Sequence, residues 1–126
     1  MDVLYFHLGG APYAIAQETI ADVAPASAIH PVPLSPPAVL GLAERRGRAI
    51  AVIDLPALLD NGPIDPRHAS HLVRLAAPLE GAALLVPAEI LSGTGTPASP
   101  GHVSIDGRLH VLLDALALVK RAATFH

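Results

Sequence analysis

Cysteine and tryptophan are absent from the chain, and only Tyr5, Phe6, Tyr13 and Phe125 are aromatic. Without cysteine there is no disulfide and no thiolate metal site. So few aromatic rings leave no platform on which nucleobases could stack. Basic charge is also scarce. Eight Lys and Arg stand against eleven Asp and Glu, a formal net charge of −3, which excludes the basic footprint of a nucleic-acid or anionic-lipid binder. Met1 to Leu8 lack the positive charge and long apolar core of a signal peptide, and no uncharged apolar run reaches the roughly 18 residues that span a bilayer. A soluble cytoplasmic protein without membrane insertion is expected.

What is present is a chain of 126 residues, 52% of them apolar and drawn mostly from Ala, Leu, Val and Ile. This length suits one ordinary domain and a core that needs no staples. The patterning is mainly that of strands. Val3 to Leu8 is a short apolar strand, Gly9-Gly10-Ala11-Pro12 a turn, and Tyr13 to Gln17 an alternating return, together a hairpin. Five prolines from Pro25 to Pro37 remove ladder donors and fix φ, so an irregular crossover is expected there. Ala49 to Ile53 is a further strand. It ends at Asp54, placed to cap a short helix through Leu55-Pro56-Ala57-Leu58-Leu59 that Asn61-Gly62-Pro63 terminates. Leu72 to Leu75 and Gly81 to Val86 are strands joined through Ala76-Ala77-Pro78. Ser92 to Gly101, rich in Gly, Ser, Thr and Pro, reads as a mobile loop. Val103 to Ile105 and Leu109 to Leu113 form a hairpin about Asp106-Gly107, and Asp114 is placed to cap a final amphipathic helix through Leu116, Leu118 and Val119.

The chain also repeats itself. Gly47-Arg48 followed by Asp54, Ala57 and Leu58 recurs as Gly107-Arg108 followed by Asp114, Ala117 and Leu118, a displacement of 60 residues throughout. Upstream, Ala21-Asp22-Val23 and Ala88-Glu89-Ile90 each follow a hairpin, at a displacement of 67. One β unit used twice is implied. Neither half has the strands for a stable core far from the other, so the expectation is an all-β fold of two small barrels packed together. The approximate halves are 1–62 and 68–126, with strands open to exchange between them.

Patterns that carry chemistry are thin. Gly93-Thr94-Gly95-Thr96-Pro97-Ala98 fits a loose dinucleotide pattern, but Pro97, Pro100 and Gly101 fall where its helix would propagate, so a surface loop accounts for it better. His68 and His71 are three apart without a nearby third ligand. His7 and His110 lie in strands where one side of the ring can meet solvent, and His30 lies in the proline stretch. Asp54 and Asp114 each sit at a strand-to-helix switch, which explains them as caps rather than as an acid–base pair. Serines occur without a nucleophile elbow. Pro33-Leu34-Ser35-Pro36 matches the P-x-x-P pattern of polyproline ligands, yet it abuts Val39-Leu40-Gly41 and is expected to pack within the crossover. No catalytic residue, cofactor site or metal site is assigned, and enzyme activity is not expected. A small-molecule or metal-binding β-barrel, using the histidines or the Gly-rich loop, is the alternative to a binding scaffold.

One continuous run says more. Val39-Leu40-Gly41-Leu42-Ala43-Glu44-Arg45-Arg46-Gly47-Arg48-Ala49-Ile50-Ala51-Val52-Ile53-Asp54-Leu55 resembles the signature of CheW-like domains: Gly-hydrophobic, three variable positions, Arg-Gly, an apolar strand, then Asp-Leu. Tyr5 to Gly10 with Tyr13-Ala14-Ile15 looks like the family's first hairpin, and Ile20-Ala21-Asp22-Val23 like its Val-x-Glu-Ile strand. Leu72 to Leu75, Ala83 to Val86 and Asp106 through Asp114 resemble its second subdomain. The resemblance implies two SH3-like five-stranded β-barrels with short helices, one of them C-terminal. It implies a non-catalytic cytoplasmic adaptor in chemotaxis or related two-component signalling, binding the regulatory domain of a CheA-type histidine kinase and the cytoplasmic tip of methyl-accepting chemoreceptors. Arg46 matches the Arg of the Arg-Gly motif, associated with receptor and kinase coupling, and Ile20 and Asp22 fall on the strand associated with kinase contact. Glu44 and Arg45 stand where the family usually has Asn-Leu, which puts two charges on the expected surface. The implied partner-binding set is therefore Ile20, Asp22, Glu44, Arg45 and Arg46. The segment from Leu91 to His102 is shorter than in typical members, which implies a trimmed receptor-facing groove.

Overall fold

Three tight hairpins organise the chain. Gly9 and Gly10, Arg46 and Gly47, and Asp106 and Gly107 all have positive φ, at 57° and 81°, 52° and 77°, and 50° and 80°. Paired left-handed residues give a two-residue turn the twist that its flanking strands need. The computed structural model describes residues 1–60 and 70–124. The strands are β1 (Asp2–Leu8), β2 (Ala11–Ala16), β3 (Ile20–Pro25), β4 (Val39–Arg45), β5 (Arg48–Asp54), β6 (His71–Leu75), β7 (Ala82–Val86), β8 (Leu91–Thr94), β9 (Thr96–Ser99), β10 (His102–Ile105) and β11 (Arg108–Leu112). Helix α1 (Leu55–Leu59) follows β5, and α2 (Ala115–Ala122) follows β11. Both caps form as expected: the Asp54 carboxylate accepts from the Ala57 amide at 3.3 Å and that of Asp114 from the Ala117 amide at 3.2 Å. Asn61-Gly62-Pro63 and His68 lie outside the described residues.

The strands form two sheets, ordered β8-β1-β2-β11-β10-β9 and β3-β6-β7-β5-β4. The fold is thus mainly β, with two SH3-like units. Each sheet takes strands from both halves of the chain: β1 and β2 pair into the sheet of β8 to β11, while β3, β4 and β5 join β6 and β7. The strand register gives the repeat its true spacing. The pairing of β4 with β5 recurs in β10 with β11 at a displacement of 60, and that of β1, β2 and β8 recurs in β6, β7 and β3 at 69. The parallel pairs of β5 with β7 and β11 with β2 fix both displacements together. Asp22 therefore corresponds to Leu91 rather than to Glu89, which corrects the displacement of 67 expected from local similarity.

Two further segments differ from the sequence reading. Val39–Arg45 is a strand in its own right, with a register shift between Val39 and Gly41. Ser92 to Gly101 is not a mobile loop, because most of it is β8 and β9, and β9 adds a sixth, edge strand to the first sheet. Two of its glycines reflect packing. A Cβ at Gly95 would collide with the Val103 side chain, and one at Gly93 would press on the Tyr5 ring. The crossover from Ala26 to Ala38 is irregular, as its prolines dictate, and is tied to β4 by reciprocal bonds between the backbones of His30 and Leu42. Leu34 has φ 63°, so Pro33 to Pro36 is a turn and not a polyproline helix.

Alternation along the strands separates three cores. Val3, Ala14, Val103 and Ile105 fill the first sheet's own concave face, and Ala43, Ile50, Val52, Leu72 and Ala83 fill that of the second. The largest cluster, including Phe6, Ile15, Leu55, Leu75, Leu84, Val86 and Leu118, joins the two units and takes in both helices. Arg121 on α2 reinforces this joint by donating to the Leu58 carbonyl of α1 at 2.8 Å.

Candidate protein-interaction site

The second sheet brings the sequence-selected charges together. Its edge strands, β3 and β4, lie at opposite ends of the strand order, yet Asp22 on β3 and Arg45 on β4 meet at 3.5 Å between Oδ1 and Nε. Their contact marks where the curled sheet closes on itself. A third residue holds it. Arg74, directly across from Asp22 on β6, donates from Nε at 2.9 Å and from Nη2 at 2.7 Å to Asp22 Oδ2. These bonds hold the Asp22 carboxyl below its ordinary range, against an opposing effect of burial, and the positive charges of Arg74, Arg45 and Arg46 add to the lowering. Among the described residues neither Asp22 Oδ1 nor Arg45 Nε, both buried atoms, makes a hydrogen bond. The Arg45 contact is therefore a loose ion pair and the Arg74 contact a tight one.

A β-bulge separates the two residues taken from β3. The register shifts between Ile20 and Asp22, so Ile20 faces Leu75 while Asp22 faces Arg74. Neighbouring residues on β6 point to opposite sides of the sheet. Ile20 accordingly packs, half-buried, against the large core, and Asp22 turns to the charged end of its barrel. Glu44 is exposed on β4 across from Ala49, and Arg46 is exposed in the β4–β5 turn. A shallow depression lined by His30, Leu42, Ala43, Glu44, Gly47 and Ala49 adjoins the turn. Asp22, Arg45 and Arg46 thus form one electrostatic group with Glu44 at its margin, and Ile20 stands apart from it.

Sequence reasoning missed Arg74 and Arg48. The signal for Arg74 was a charge inside the otherwise apolar run Leu72-Val73-Arg74-Leu75. Arg48 lies directly across from Arg45 at the base of the turn. The first sheet shows what the second has gained: at the positions of Asp22, Arg74 and Arg45 it carries Leu91, Tyr5 and Ile105. The same barrel end is closed by apolar side chains in one unit and by an ionic cluster in the other.

Apart from His7 and His110, the histidines named above do not come together among the described residues. His110 is buried, contrary to the expectation of a solvent-facing ring; its Nδ1 lies 3.0 Å from the Arg108 carbonyl and its Nε2 has no partner among the described residues. This follows from register, since His110 pairs with the core residue Val103 and shares its face. His7 stands beside it, with ring centroids 5.9 Å apart, and its pKa is lowered by burial and by the charges of Arg108 and His110. Nδ1 of His71 lies 3.1 Å from the Ala88 carbonyl. Among the described residues no group of three or more His, Cys, Asp or Glu is placed to hold a metal ion, and no helix is long and apolar enough to cross a membrane.

Paired SH3-like barrels, joined by an apolar core and bearing a charged cluster at one hairpin, define a β scaffold of the protein-interaction class. The chain belongs to the CheW-like domain family, whose model matches residues 2–88. Its fold is similar to that of the scaffolding protein TtCheW from Thermoanaerobacter tengcongensis, with a TM-score of 0.75 and 20% identity over 90% of this chain and 88% of that one. No curated protein sequence matches the chain significantly.

Proposed function

We propose that the chain is a non-catalytic cytoplasmic adaptor in chemotaxis or a related two-component pathway. It couples the cytoplasmic tip of a chemoreceptor to the regulatory domain of a CheA-type histidine kinase. The observation that carries this reading is the family match across β1 to β7, and the ion cluster of Asp22, Arg45 and Arg74 next to the Arg-Gly turn is consistent with it. The likeness in fold to the scaffolding protein TtCheW supports it. Asp22, Arg45, Arg46 and Glu44 supply orientation and specificity to the contact, and Ile20 supplies apolar area at the β3 edge. On this reading the chain, 1–126, is a single CheW-like domain whose approximate halves, 1–62 and 68–126, exchange strands.

Calorimetry against the regulatory domain of a co-encoded CheA-type kinase tests the proposal. Micromolar binding that is lost in Asp22→Arg and weakened in Arg46→Ala is expected. Absence of binding by the parent chain, with the fold verified by circular dichroism, would refute it. Full binding by both variants would leave the adaptor role and remove the surface.

A further inference from the structure

We infer that the β4–β5 turn docks an acidic segment of a protein partner, and that Arg48 belongs to the docking surface together with Arg46. This deepens the adaptor reading and rests on it. Half of the chain's eight basic residues, Arg45, Arg46, Arg48 and Arg74, meet here around two carboxylates, Asp22 and Glu44, in a molecule whose formal net charge is −3. Asp22 is already engaged by Arg74 and Arg45. Arg46 and Arg48 are exposed and have no ion-pair partner among the described residues.

Local physics makes this turn unfavourable for folding, which points to another role. Arg46 has φ 52°, a left-handed conformation that Asn, Asp and Gly tolerate and that costs a long side chain stability. Arg45 and Arg48 stand directly opposite one another, and like charges facing across an antiparallel pair repel. The equivalent turn of the other unit breaks neither rule. There the left-handed position is Asp106, and Arg108 faces Ile105. One hairpin thus reads Ile-Asp-Gly-Arg, carrying both signs of charge, and its twin reads Arg-Arg-Gly-Arg. Asp22 offsets part of this charge through Arg74 and Arg45, but Arg46 and Arg48 form no ion pair among the described residues, and such departures from local preference mark a functional surface. An anionic side chain on a partner would offset the repulsion between Arg45 and Arg48. A polyanion is the poorer match, because the patch is one turn wide, Glu44 flanks it, and the rest of the chain is acidic.

The twin turn supplies the control. Binding of the kinase regulatory domain and of the receptor tip is measured by calorimetry for the parent, Arg48→Glu and Arg108→Glu at low and high salt. The two variants change net charge equally. Arg48→Glu is expected to weaken binding of one partner about tenfold at low salt and to flatten its salt dependence, while Arg108→Glu stays within about twofold of the parent. Because Glu at position 48 faces Arg45, this variant is expected to melt no lower than the parent, so misfolding cannot imitate the effect. Equal effects of the two variants, or unimpaired binding by Arg48→Glu to both partners, would overturn the inference and leave the adaptor role standing. A parent that binds neither partner would remove the adaptor role, and this inference with it. Binding to phosphatidylserine vesicles or duplex DNA, abolished by Arg48→Glu while both protein partners still bind that variant, would replace the acidic protein segment with a polyanion.

Discussion

Replacing Arg74 with methionine keeps its bulk and removes both bonds to Asp22 Oδ2. The pair is intermediate in exposure, at 21% and 19% of the two side chains. An exposed ion pair contributes roughly 0.5 kcal/mol, whereas breaking a buried one costs about 3–5 kcal/mol. The loss expected here is about 2 kcal/mol, because Asp22 is left with only the loose contact to Arg45. In a domain of this size that lowers the melting temperature by roughly 8 °C. Urea unfolding followed by circular dichroism, run on Arg74→Met, Asp22→Asn and the double variant, isolates a coupling of about 1.5 kcal/mol at neutral pH. The sign of its pH dependence follows from the lowered Asp22 pKa. Stability from the pair is fully present above the unfolded carboxylate value of 3.8 and is lost as pH falls through the lower folded value. A coupling below about 0.5 kcal/mol at neutral pH, or one that persists through acid titration, would show that Arg74 does not hold Asp22 as the geometry indicates.

Other substitutions probe the frame. Leu34 is 94% exposed at φ 63°, so Leu34→Gly removes backbone strain at almost no loss of packing; a net gain of about 0.5 kcal/mol, seen as a small rise in melting temperature, is expected, and a fall would contradict it. At Gly41, φ is 149° and a Cβ would strike the His30 carbonyl, so Gly41→Ala is expected to cost about 3 kcal/mol or more in denaturant unfolding. Asp114→Ala removes the cap of α2 and should cost about 1 kcal/mol, with Asp114→Ser retaining most of it. Preservation of parental stability in the alanine variant would show the bond to Ala117 to be dispensable.

The repeat illustrates how far sequence reasoning reaches. Asp54 and Asp114 were legible because a capping carboxylate must stand at a fixed place before a helix, and Gly47 and Gly107 because a two-residue turn needs left-handed backbone. The upstream displacement was not legible. Ala88-Glu89-Ile90 looks like Ala21-Asp22-Val23 locally, yet pairing partners decide equivalence, and those place Leu91 where Asp22 stands. β8 and β9 were hidden for a related reason: their Gly, Thr and Pro suit a loop by propensity, and only close packing of Gly95 on Val103 shows them to be strands. The bulge that sends Ile20 and Asp22 to opposite faces leaves no trace in an alternation pattern.

The amino-acid sequence alone determined the all-β class, the duplicated unit, the two helix caps and the family signature, because each is written in short local patterns, the duplication as one such pattern occurring twice. Which strands share a sheet, which side chains meet at the closing edge and which arginine holds Asp22 were decided only by tertiary structure. Asp22 and Arg74 are 52 residues apart. No local preference links them, and they meet because a parallel pair between β5 and β7 delivers β6 to the side of β3.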